Sequence, residues 1–331
     1  MMPDTPPLPS AERGAAQPCA PRIGVIYNPR SRRNKGRALA VPPHPCIEVA
    51  EPSTKPDIAG ALRQFARTGV DYLVISGGDG TVRDVLTMGY GVFGENWPVI
   101  AVLPRGKTNA LNADIAAPGT WRLEDAVAAY ADGRRVTRRP IAVCGNGGKG
   151  DAMLGFILGA GMFTEGIRSG QDAHRIGLFD SLAVALTSAW GIAQTLVGRK
   201  ASRWRRGTGL ELRRLPDNAP MEYAKGAEEG RRSLLLASTL QRMPLGLKLF
   251  GPWEDGIRLL LLDRPRRRVM AFVPAMLAGW HPRWLRRAGL HQLSVDGFTM
   301  DIADSFVLDG EVFAAGEYTV TQGPRLTFVT T

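Results

Sequence analysis

Residues 71–81 read DYLVISGGDGT, a short apolar segment that runs directly into three glycines, an aspartate and a threonine. The apolar part predicts a buried strand at Asp71–Ser76, and the apolar spacing through Val85 and Leu86 predicts a helix after it. Glycines at such a turn let backbone N–H groups approach a phosphate at the positive end of the helix. Gly77-Gly78-Asp79-Gly80-Thr81 therefore indicates a phosphate site, in which Asp79 orients a metal ion or braces the loop. The alternative is a plain strand-to-helix turn.

The same alternation of apolar segments and helical stretches continues on both sides of this turn. Strands are predicted at Arg22–Tyr27 and Pro98–Leu103, and a helix at Asp57–Thr68. Short, continuously apolar strands that alternate with helices predict a parallel sheet covered on both faces. Ligands of such sheets bind at the loops that leave the carboxyl ends of the strands, and the informative loops of this region all fall there.

Two further loops at this edge carry groups that suit phosphate. Residues 104–109, PRGKTN, end in the Gly-Lys-Thr of a Walker A motif, but the first glycine of that motif would fall at Ala101 inside the strand. A true P-loop is therefore not predicted. Residues 28–36, NPRSRRNKG, contain four basic side chains, which either bind phosphate oxygens or form a solvated basic edge. Glycine-bearing loops on adjacent strands favour a shared nucleotide cleft.

The pattern changes after about residue 140, where short apolar segments are separated by Gly, Pro and charged residues. Strands at this density predict an antiparallel sandwich or barrel. Helical patches are expected at Leu178–Val197 and Val269–Leu285, and a mobile loop at the charged stretch Arg203–Arg232. Near the C-terminus, Leu308–Glu311 reads LDGE. Two carboxylates around a glycine act as general base and metal partner beside a phosphate, or form an ordinary hairpin turn.

Composition restricts the class of protein. The chain has 331 residues, of which 44% are hydrophobic and 22% charged, which is a globular composition. Its 42 basic and 31 acidic residues give 42 − 31 = +11, which favours an anionic partner. Three scattered cysteines and four histidines argue against a disulfide scaffold or a zinc site. The uncharged run Ser181–Gly198 is marginal for a membrane span and favours a buried or interfacial helix.

Together these motifs resemble the diacylglycerol kinase catalytic-domain superfamily of lipid kinases, in particular its soluble bacterial members. The resemblance covers nearly the whole chain from about Arg22. The motifs that carry it occur in family order: Asn28-Pro29, Gly77–Thr81, Gly106–Asn109, Glu254-Asp255-Gly256 and Leu308–Glu311. Gly-Gly-Asp-Gly-Thr is shared with sphingosine, ceramide and NAD kinases, and its combination with the late Asp-Gly-Glu favours the lipid branch.

The resemblance implies an α/β plus all-β architecture of two domains. After a disordered tail over residues 1–20, a three-layer α/β nucleotide-binding domain is expected over residues 21–140. A β-sandwich that binds the lipid substrate is expected over residues 141–331, with the active site in the cleft between the domains. The implied reaction transfers the γ-phosphoryl group of ATP, with Mg²⁺ as the metal cofactor, to a lipid hydroxyl.

The same resemblance assigns roles to individual residues. Glu311 takes the position of the proton acceptor, with Asp309 beside it. A structural Mg²⁺ would be held by the Asp255 side chain and the carbonyl groups of Pro252 and Ile257. The nucleotide would be held by residues of the three loops, namely Asn28, Pro29, Arg30, Ser31, Arg32, Gly77, Gly78, Asp79, Gly80, Thr81, Arg83, Gly106, Lys107 and Thr108.

Three positions depart from the family pattern. Lys107 stands where the family usually has Thr, so that either Thr108 substitutes for it or the lysine contacts phosphate. Ala110 stands in place of a common Asp, and Arg83 in place of an Asn, where its charge either clamps a phosphate or crowds the site. These departures weaken any transfer of fine specificity.

A kinase of lipids must contact a bilayer, and three segments mix basic and aromatic residues in a way that suits an anionic interface. They are Arg199-Lys200, Arg203–Arg206 and Trp280–Arg287; the alternative is that their tryptophans belong to the core. No export signal is visible at the N-terminus. We therefore expect a cytoplasmic, peripherally membrane-associated protein that does not bind nucleic acid, and a homodimer stays open.

The favoured reaction is phosphorylation of diacylglycerol to phosphatidic acid. A sphingoid base or another long-chain alcohol is the alternative acceptor. An NAD kinase shares the glycine motif, but the nicotinamide-ribose recognition motif expected of it is not found. A catalytically silent, basic module that binds membranes or nucleic acid remains the alternative from a different class, because of Arg83 and Lys107.

Overall fold

The computed structural model describes residues 20–106, 108–145, 151–164, 207–251 and 255–331. Several predictions lie outside these residues: those for the N-terminal tail, Lys107, the stretch Leu178–Gly198, the basic segments between Arg199 and Arg206, and Pro252. Among the helices of the described residues, none is both long and apolar enough to cross a bilayer.

Six α-helices are found in the described residues: α1 (Lys55–Thr68), α2 (Asp79–Phe93), α3 (Ala110–Ile115), α4 (Leu123–Asp132), α5 (Arg267–Leu277) and α6 (Trp284–Arg287). A 3-10 turn covers Pro244–Gly246. Helix α1 begins with a capping box, in which the side chains of Thr54 and Asp57 each accept a backbone N–H group of the other.

The first sheet has the strand order β2-β1-β3-β4-β19-β5. Its strands are β1 (Ile23–Tyr27), β2 (Ile47–Ala50), β3 (Tyr72–Gly77), β4 (Val99–Pro104), β5 (Arg134–Arg138) and β19 (Leu326–Thr330). Strands β2, β1, β3 and β4 are parallel to one another, and β5 runs antiparallel to β19. The predicted parallel sheet is therefore present, with an antiparallel edge.

Both faces of this sheet are buried, as the continuously apolar strands require. Ile75 and Val102 face the side of α1 and α2, while Val74 and Leu103 face the side of α4. The arrangement is helix, sheet, helix, so the three-layer α/β domain is confirmed.

Two antiparallel sheets form the second domain. One has the order β10-β9-β15-β18-β6-β7, with β11 also paired to β9, and the other has the order β14-β13-β12-β8-β16-β17. The strands are β6 (Ile141–Gly145), β7 (Ala152–Gly155), β8 (Ile157–Gly161), β9 (Thr208–Leu215), β10 (Ala219–Pro220), β11 (Arg231–Arg232), β12 (Leu234–Ser238), β13 (Ile257–Leu262), β14 (Leu290–Val295), β15 (Gly297–Ile302), β16 (Phe306–Leu308), β17 (Glu311–Phe313) and β18 (Gly316–Gln322).

These two sheets pack face to face. Phe298 and Met300 of β15 lie in one core with Leu259 and Leu261 of β13, as expected for a sandwich. The predicted all-β second domain is confirmed in its architecture.

Two expectations need correction. The predicted second domain included all residues from 141 to the C-terminus, but β19 lies in the first sheet between β4 and β5. An apolar strand carries no signal for which sheet it joins. The loop predicted at Arg203–Arg232 is wrong over Thr208–Leu215, because β9 places Leu210 and Leu212 in the sandwich core while Glu211 and Arg213 are exposed. The charged residues occupy the solvent face of a period-2 strand.

The domains share buried contacts beyond β19. The Thr87 hydroxyl of α2 accepts the N–H group of Leu154 of β7 at 3.0 Å. Asp114 of α3 is buried, pairs with Arg138 of β5, and accepts the N–H group of Arg242, beyond β12, at 2.6 Å. Asp114 therefore ties three separate parts of the chain together at the junction.

Replacement of Asp114 by Ala is expected to lower the free energy of unfolding by about 3–5 kcal/mol, because the largely buried Arg138 would lose its counter-charge. The matched control is Asp217→Ala, which breaks an Asp–Arg pair whose partner Arg214 is exposed and should cost far less, because solvent screens exposed ion pairs. Urea unfolding of both variants measures the difference. Equal costs would show that burial of the Asp114 pair is not what stabilises the junction.

Candidate functional site

The glycine turn lies where β3 passes into α2. Gly78 is the N-cap of α2, so the first backbone N–H groups of this helix lie in the turn and have no acceptor within the helix. Thr81 accepts a hydrogen bond at 2.8 Å from the side-chain amide of Asn28, which follows β1. This contact joins the loop that follows β1 to the glycine turn that follows β3.

Asn34, which sequence reasoning did not single out, fixes the loop that follows β1. Its side chain is buried, and its amide donates to the carbonyl groups of Asn28 and Ser76 at 2.9 and 3.2 Å. It is one of several polar residues in NPRSRRNKG, and only its burial distinguishes it. The exposed Arg30 and Arg32 belong to the same loop, so a basic rim surrounds an ordered centre.

The second glycine loop packs directly against the first. A Cβ atom on Gly106 would lie 2.7 Å from the Cα of Gly78, and one on Gly78 would lie 2.9 Å from the Cα of Gly106. Asn109 stabilises the second loop by accepting the Gly106 N–H group at 2.9 Å. The two loops thus require glycine at both positions because their backbones touch.

Asp79 braces these loops. Its Oδ1 accepts the Ala110 N–H group at the start of α3 at 2.7 Å, so the bracing alternative from the sequence is the one that the described contacts support. Burial raises the pKa of Asp79, while backbone N–H groups at the start of α3 lower it. A carboxylate at this position carries negative charge into the region between the two loops.

The Asp-Gly-Glu motif forms the two-residue turn between β16 and β17, with positive φ at both Asp309 (45°) and Gly310 (84°). This is the backbone that favours Asp-Gly in tight hairpins. The Asp309 carboxylate accepts the N–H groups of Phe156 and Ile157, both at 2.9 Å, and the turn therefore docks between β7 and β8.

Burial raises the pKa of Asp309 to about 7, although the two N–H groups act against this rise. The negative charge of Asp79 raises the pKa further, and the charge of Arg83 lowers it. The turn from the C-terminal part of the chain is thus electrostatically coupled to the glycine turn of α2.

Glu311 lies in a cluster of charges at this junction. Its Oε2 is 2.9 Å from Nη2 of Arg83, and its Oε1 is 3.0 Å from Nζ of Lys55 at the start of α1. Arg83 also pairs with Asp84 at 2.8 Å and donates to the carbonyl group of Asp309 at 3.3 Å. Two cations from the first domain therefore hold the carboxylate that the sequence marks as proton acceptor.

Lys55 was missed by sequence reasoning. It belongs to the capping sequence of α1, 256 residues from Glu311, and nothing local to it indicates chemistry. Arg83 was identified as a departure from the family pattern, and the structure places its side chain, only 11% exposed, against Glu311.

Of the residues predicted to hold the structural Mg²⁺, Asp255 and Ile257 lie in the described part of the chain and Pro252 lies outside it. Asp255 is exposed, and its carbonyl group accepts the Ser294 hydroxyl at 2.8 Å; Ile257 begins β13. Among the described ranges, no group of three or more carboxylate, histidine or cysteine side chains converges on one point. The chemistry of one exposed carboxylate with backbone carbonyl groups suits a hydrated Mg²⁺.

The α/β domain is joined to a β-sandwich and carries its glycine loops at the carboxyl edge of the sheet, which is where ligands of such sheets bind. Residues 22–143 match the family model described as the diacylglycerol kinase catalytic domain. The predicted resemblance to the diacylglycerol kinase catalytic-domain superfamily is thereby confirmed. The search of curated proteins found no match to the chain.

Solved structures from Bacillus anthracis str. Sterne share the fold. One, described as "a putative diacylglycerol kinase", superposes with a TM-score of 0.63 at 12% identity. A second, described as a diacylglycerol kinase, gives 0.61 at 12%, and a third, described like the first, gives 0.64 at 13%. Each alignment covers 94% of this chain and 97% of the other. The likeness therefore extends over both domains.

Gly106→Ala is expected to lower the free energy of unfolding by about 1–3 kcal/mol, because the added Cβ meets backbone atoms that cannot move independently. Gly80→Ala, in the glycine turn that Gly106 packs against, is the control: a Cβ there meets nothing within 4 Å, and alanine favours the helix by up to about 1 kcal/mol. Thermal and urea unfolding compare the two. If both substitutions destabilise equally, contact between the loops is not the reason for glycine at position 106.

The pKa of Asp309, about 7 in the folded protein against 3.8 as its ordinary value, predicts a pH-dependent stability. Between these values the folded state binds one more proton than the unfolded state, so this contribution to stability falls as pH rises. The slope approaches about 1.4 kcal/mol per pH unit and vanishes above pH 7. Asp309→Asn should remove this pH dependence of stability, whereas Asp301→Asn on the exposed face of β15 should not. Parallel profiles for wild type and Asp309→Asn between pH 5 and 7 would contradict this assignment.

Proposed function

We propose that the protein is an ATP- and Mg²⁺-dependent lipid kinase that transfers the γ-phosphoryl group to a lipid hydroxyl, with diacylglycerol as the acceptor and phosphatidic acid as the product. The observation that carries the proposal is the 2.9 Å contact between Glu311 and Arg83. It brings the carboxylate of a C-terminal hairpin to the helix that begins at the glycine turn. This contact supports the proposal that Glu311 acts as a general base beside a phosphate-binding element.

The nucleotide would bind at the glycine turn and the second loop. The first N–H groups of α2 suit phosphate oxygens, and its dipole favours their negative charge. Arg30 and Arg32 of the basic loop are exposed at the same edge of the sheet, where guanidinium groups bind phosphate well. Ser31, Thr108 and the other loop residues assigned from the sequence stay predictions for this binding.

Glu311 would accept the proton of the attacking hydroxyl. The hydroxyl oxygen forms a bond to the γ-phosphorus, the bond to the β–γ bridging oxygen breaks, and that oxygen leaves with ADP. Lys55 and Arg83 balance the charge of Glu311 before the nucleotide binds. Because the phosphates compete for the same cations, their arrival would release a carboxylate oxygen for the hydroxyl proton.

The proposed metal sites are inferred from the oxygen groups that would bind the ion. Mg²⁺ would neutralise phosphate charge at the nucleotide, which is the role it has in phosphoryl transfer. Asp309 lies beside this region, and its carboxylate keeps lone pairs beyond the two N–H groups that it accepts. The structural ion would take the Asp255 carboxylate, and the carbonyl groups of Pro252 and Ile257 stay predictions for the rest of that site.

The test is a labelling assay with γ-labelled ATP. Detergent micelles carry diacylglycerol, sphingosine, ceramide or monoacylglycerol in separate samples, and NAD is offered in buffer. Label in diacylglycerol alone supports the full proposal, and label in a sphingoid base or another alcohol corrects the acceptor. Label in NADP moves the protein to the related family. Absence of label, together with no thermal stabilisation by ATP, would leave the silent basic module.

Glu311→Gln is expected to reduce turnover by about 10²–10⁴-fold, because glutamine cannot accept the proton. The affinity for ATP, measured by equilibrium binding, should be kept or increase, since loss of the carboxylate frees Lys55 and Arg83 for the phosphates. The control is Glu317→Gln on β18, the next strand in the chain, which removes the same charge at a position away from the site. Unchanged turnover in Glu311→Gln would remove Glu311 from the reaction.

A further inference from the structure

A helical excursion over residues 263–289 connects β13 to β14. These strands are adjacent and antiparallel, and a two-residue turn could join them. The excursion instead contains α5 and α6, and its inner side packs on the outer face of the sheet, where Leu260 and Leu262 meet Val269, Met270 and Leu285. It is therefore a packed layer with a fixed outer surface.

The outer surface of the helical excursion is strongly basic. Residues 264–295 contain seven arginines and no aspartate, glutamate or lysine. Six of the arginines are exposed: Arg264, Arg267, Arg268, Arg283, Arg286 and Arg287. Glu222, from outside the excursion, pairs with Arg286 where both side chains are 70% exposed. A surface of this composition favours an anionic partner over a protein of mixed charge.

Apolar and aromatic groups lie among these charges. Trp280 is 64% exposed, and the ring of Phe272 lies 4.9 Å from the ring of Trp280 and 5.2 Å from that of Trp284. Ala271 and Pro274 on α5 are also exposed. A nucleic acid gains nothing from exposed alanine and proline, whereas the interfacial layer of a bilayer accepts all of these groups.

A cavity of about 520 Å³ opens beside α6, and its polar lining includes Arg283, Arg286, Arg287 and His291 together with Glu222, which pairs with Arg286. Its base is rigid, because Nε2 of His291 lies 2.9 Å from Oδ2 of the buried Asp263. Asp263 in turn pairs with the buried Arg232. Several guanidinium groups around a cavity of this size suit a phosphate group.

We propose that the helical excursion is a docking surface for a bilayer of anionic phospholipid, with Trp280 in the headgroup layer and a lipid phosphate in the arginine-lined cavity. The surface deepens the proposed function, since it would bring a lipid kinase to its acceptor. It is also separate from the catalytic residues. The excursion adjoins β14, and Glu311 lies on β17 at the opposite edge of the same sheet, about 24 Å away at normal strand spacing.

Binding is measured without ATP or acceptor, so that it does not depend on kinase activity. The full chain is sedimented with vesicles of phosphatidylcholine alone, or of phosphatidylcholine with about a third phosphatidylglycerol. The variant Arg283→Glu/Arg287→Glu changes two exposed arginines of the excursion. Arg63→Glu/Arg67→Glu, on the exposed side of α1, makes the same change of net charge elsewhere. Thermal unfolding verifies that each variant is folded.

We expect the wild type to bind the anionic vesicles and to dissociate at high salt. Two basic residues near a membrane surface contribute about 2 kcal/mol, so the Arg283/Arg287 variant should bind at least about 30-fold more weakly. The Arg63/Arg67 control should retain most of the binding. Trp280→Ala should weaken binding while its dependence on salt is kept. If the vesicles bind as expected but the labelling assay with ATP gives no product, the proposed function is refuted and the docking surface is not.

Three outcomes would overturn the proposal. One is equal loss of vesicle binding in both double variants, which would mean that net charge alone is responsible. Another is stabilisation of the wild type by inorganic phosphate, lost in Arg283→Glu/Arg287→Glu, without any vesicle binding, which would assign the cavity to free phosphate. The third is binding to labelled single-stranded or duplex DNA that depends on Arg283 and Arg287 while vesicles are not bound.

Discussion

The last strand of the chain holds the candidate site together. β19 lies between β4 and β5 in the first sheet, although the strands immediately before it in the sequence belong to the sandwich. Its residues Phe328 and Val329 are buried on opposite faces of that sheet. The chain thus returns through β19 to the sheet on which α2 packs, and the β16–β17 hairpin before it brings Glu311 to Arg83. The site therefore depends on strand pairing between residues about 230 apart.

Within the site, charges of opposite sign meet across the junction. The first domain supplies Lys55, Arg83 and Asp79, and the hairpin supplies Asp309 and Glu311. An unpaired carboxylate at a partly buried position would be costly, so the cations at Glu311 stabilise its charge within the protein. Such pairing would make an anionic ligand a direct competitor for contacts that the protein already forms.

The helical excursion contributes to the structure with its inner side and to the proposed interaction with its outer side. Its inner side covers Leu260 and Leu262, which would otherwise expose an apolar sheet face. Its outer side carries six exposed arginines and Trp280. The sequence indicated this mixture at Trp280–Arg287, but not that the tryptophans divide between exposed and partly buried positions.

The sequence by itself determined the parallel sheet, the glycine turn and the hairpin, because each depends on neighbours in the chain: alternating apolar segments, glycines before a helix, and Asp-Gly at a two-residue turn. Local pattern was insufficient for β9, whose outward charges resembled a loop. Only the tertiary structure decided that β19 joins the first sheet, that Asp79 caps α3, and that Lys55 reaches Glu311. Each of these contacts joins residues far apart in the chain, and it is packing that selects their partners.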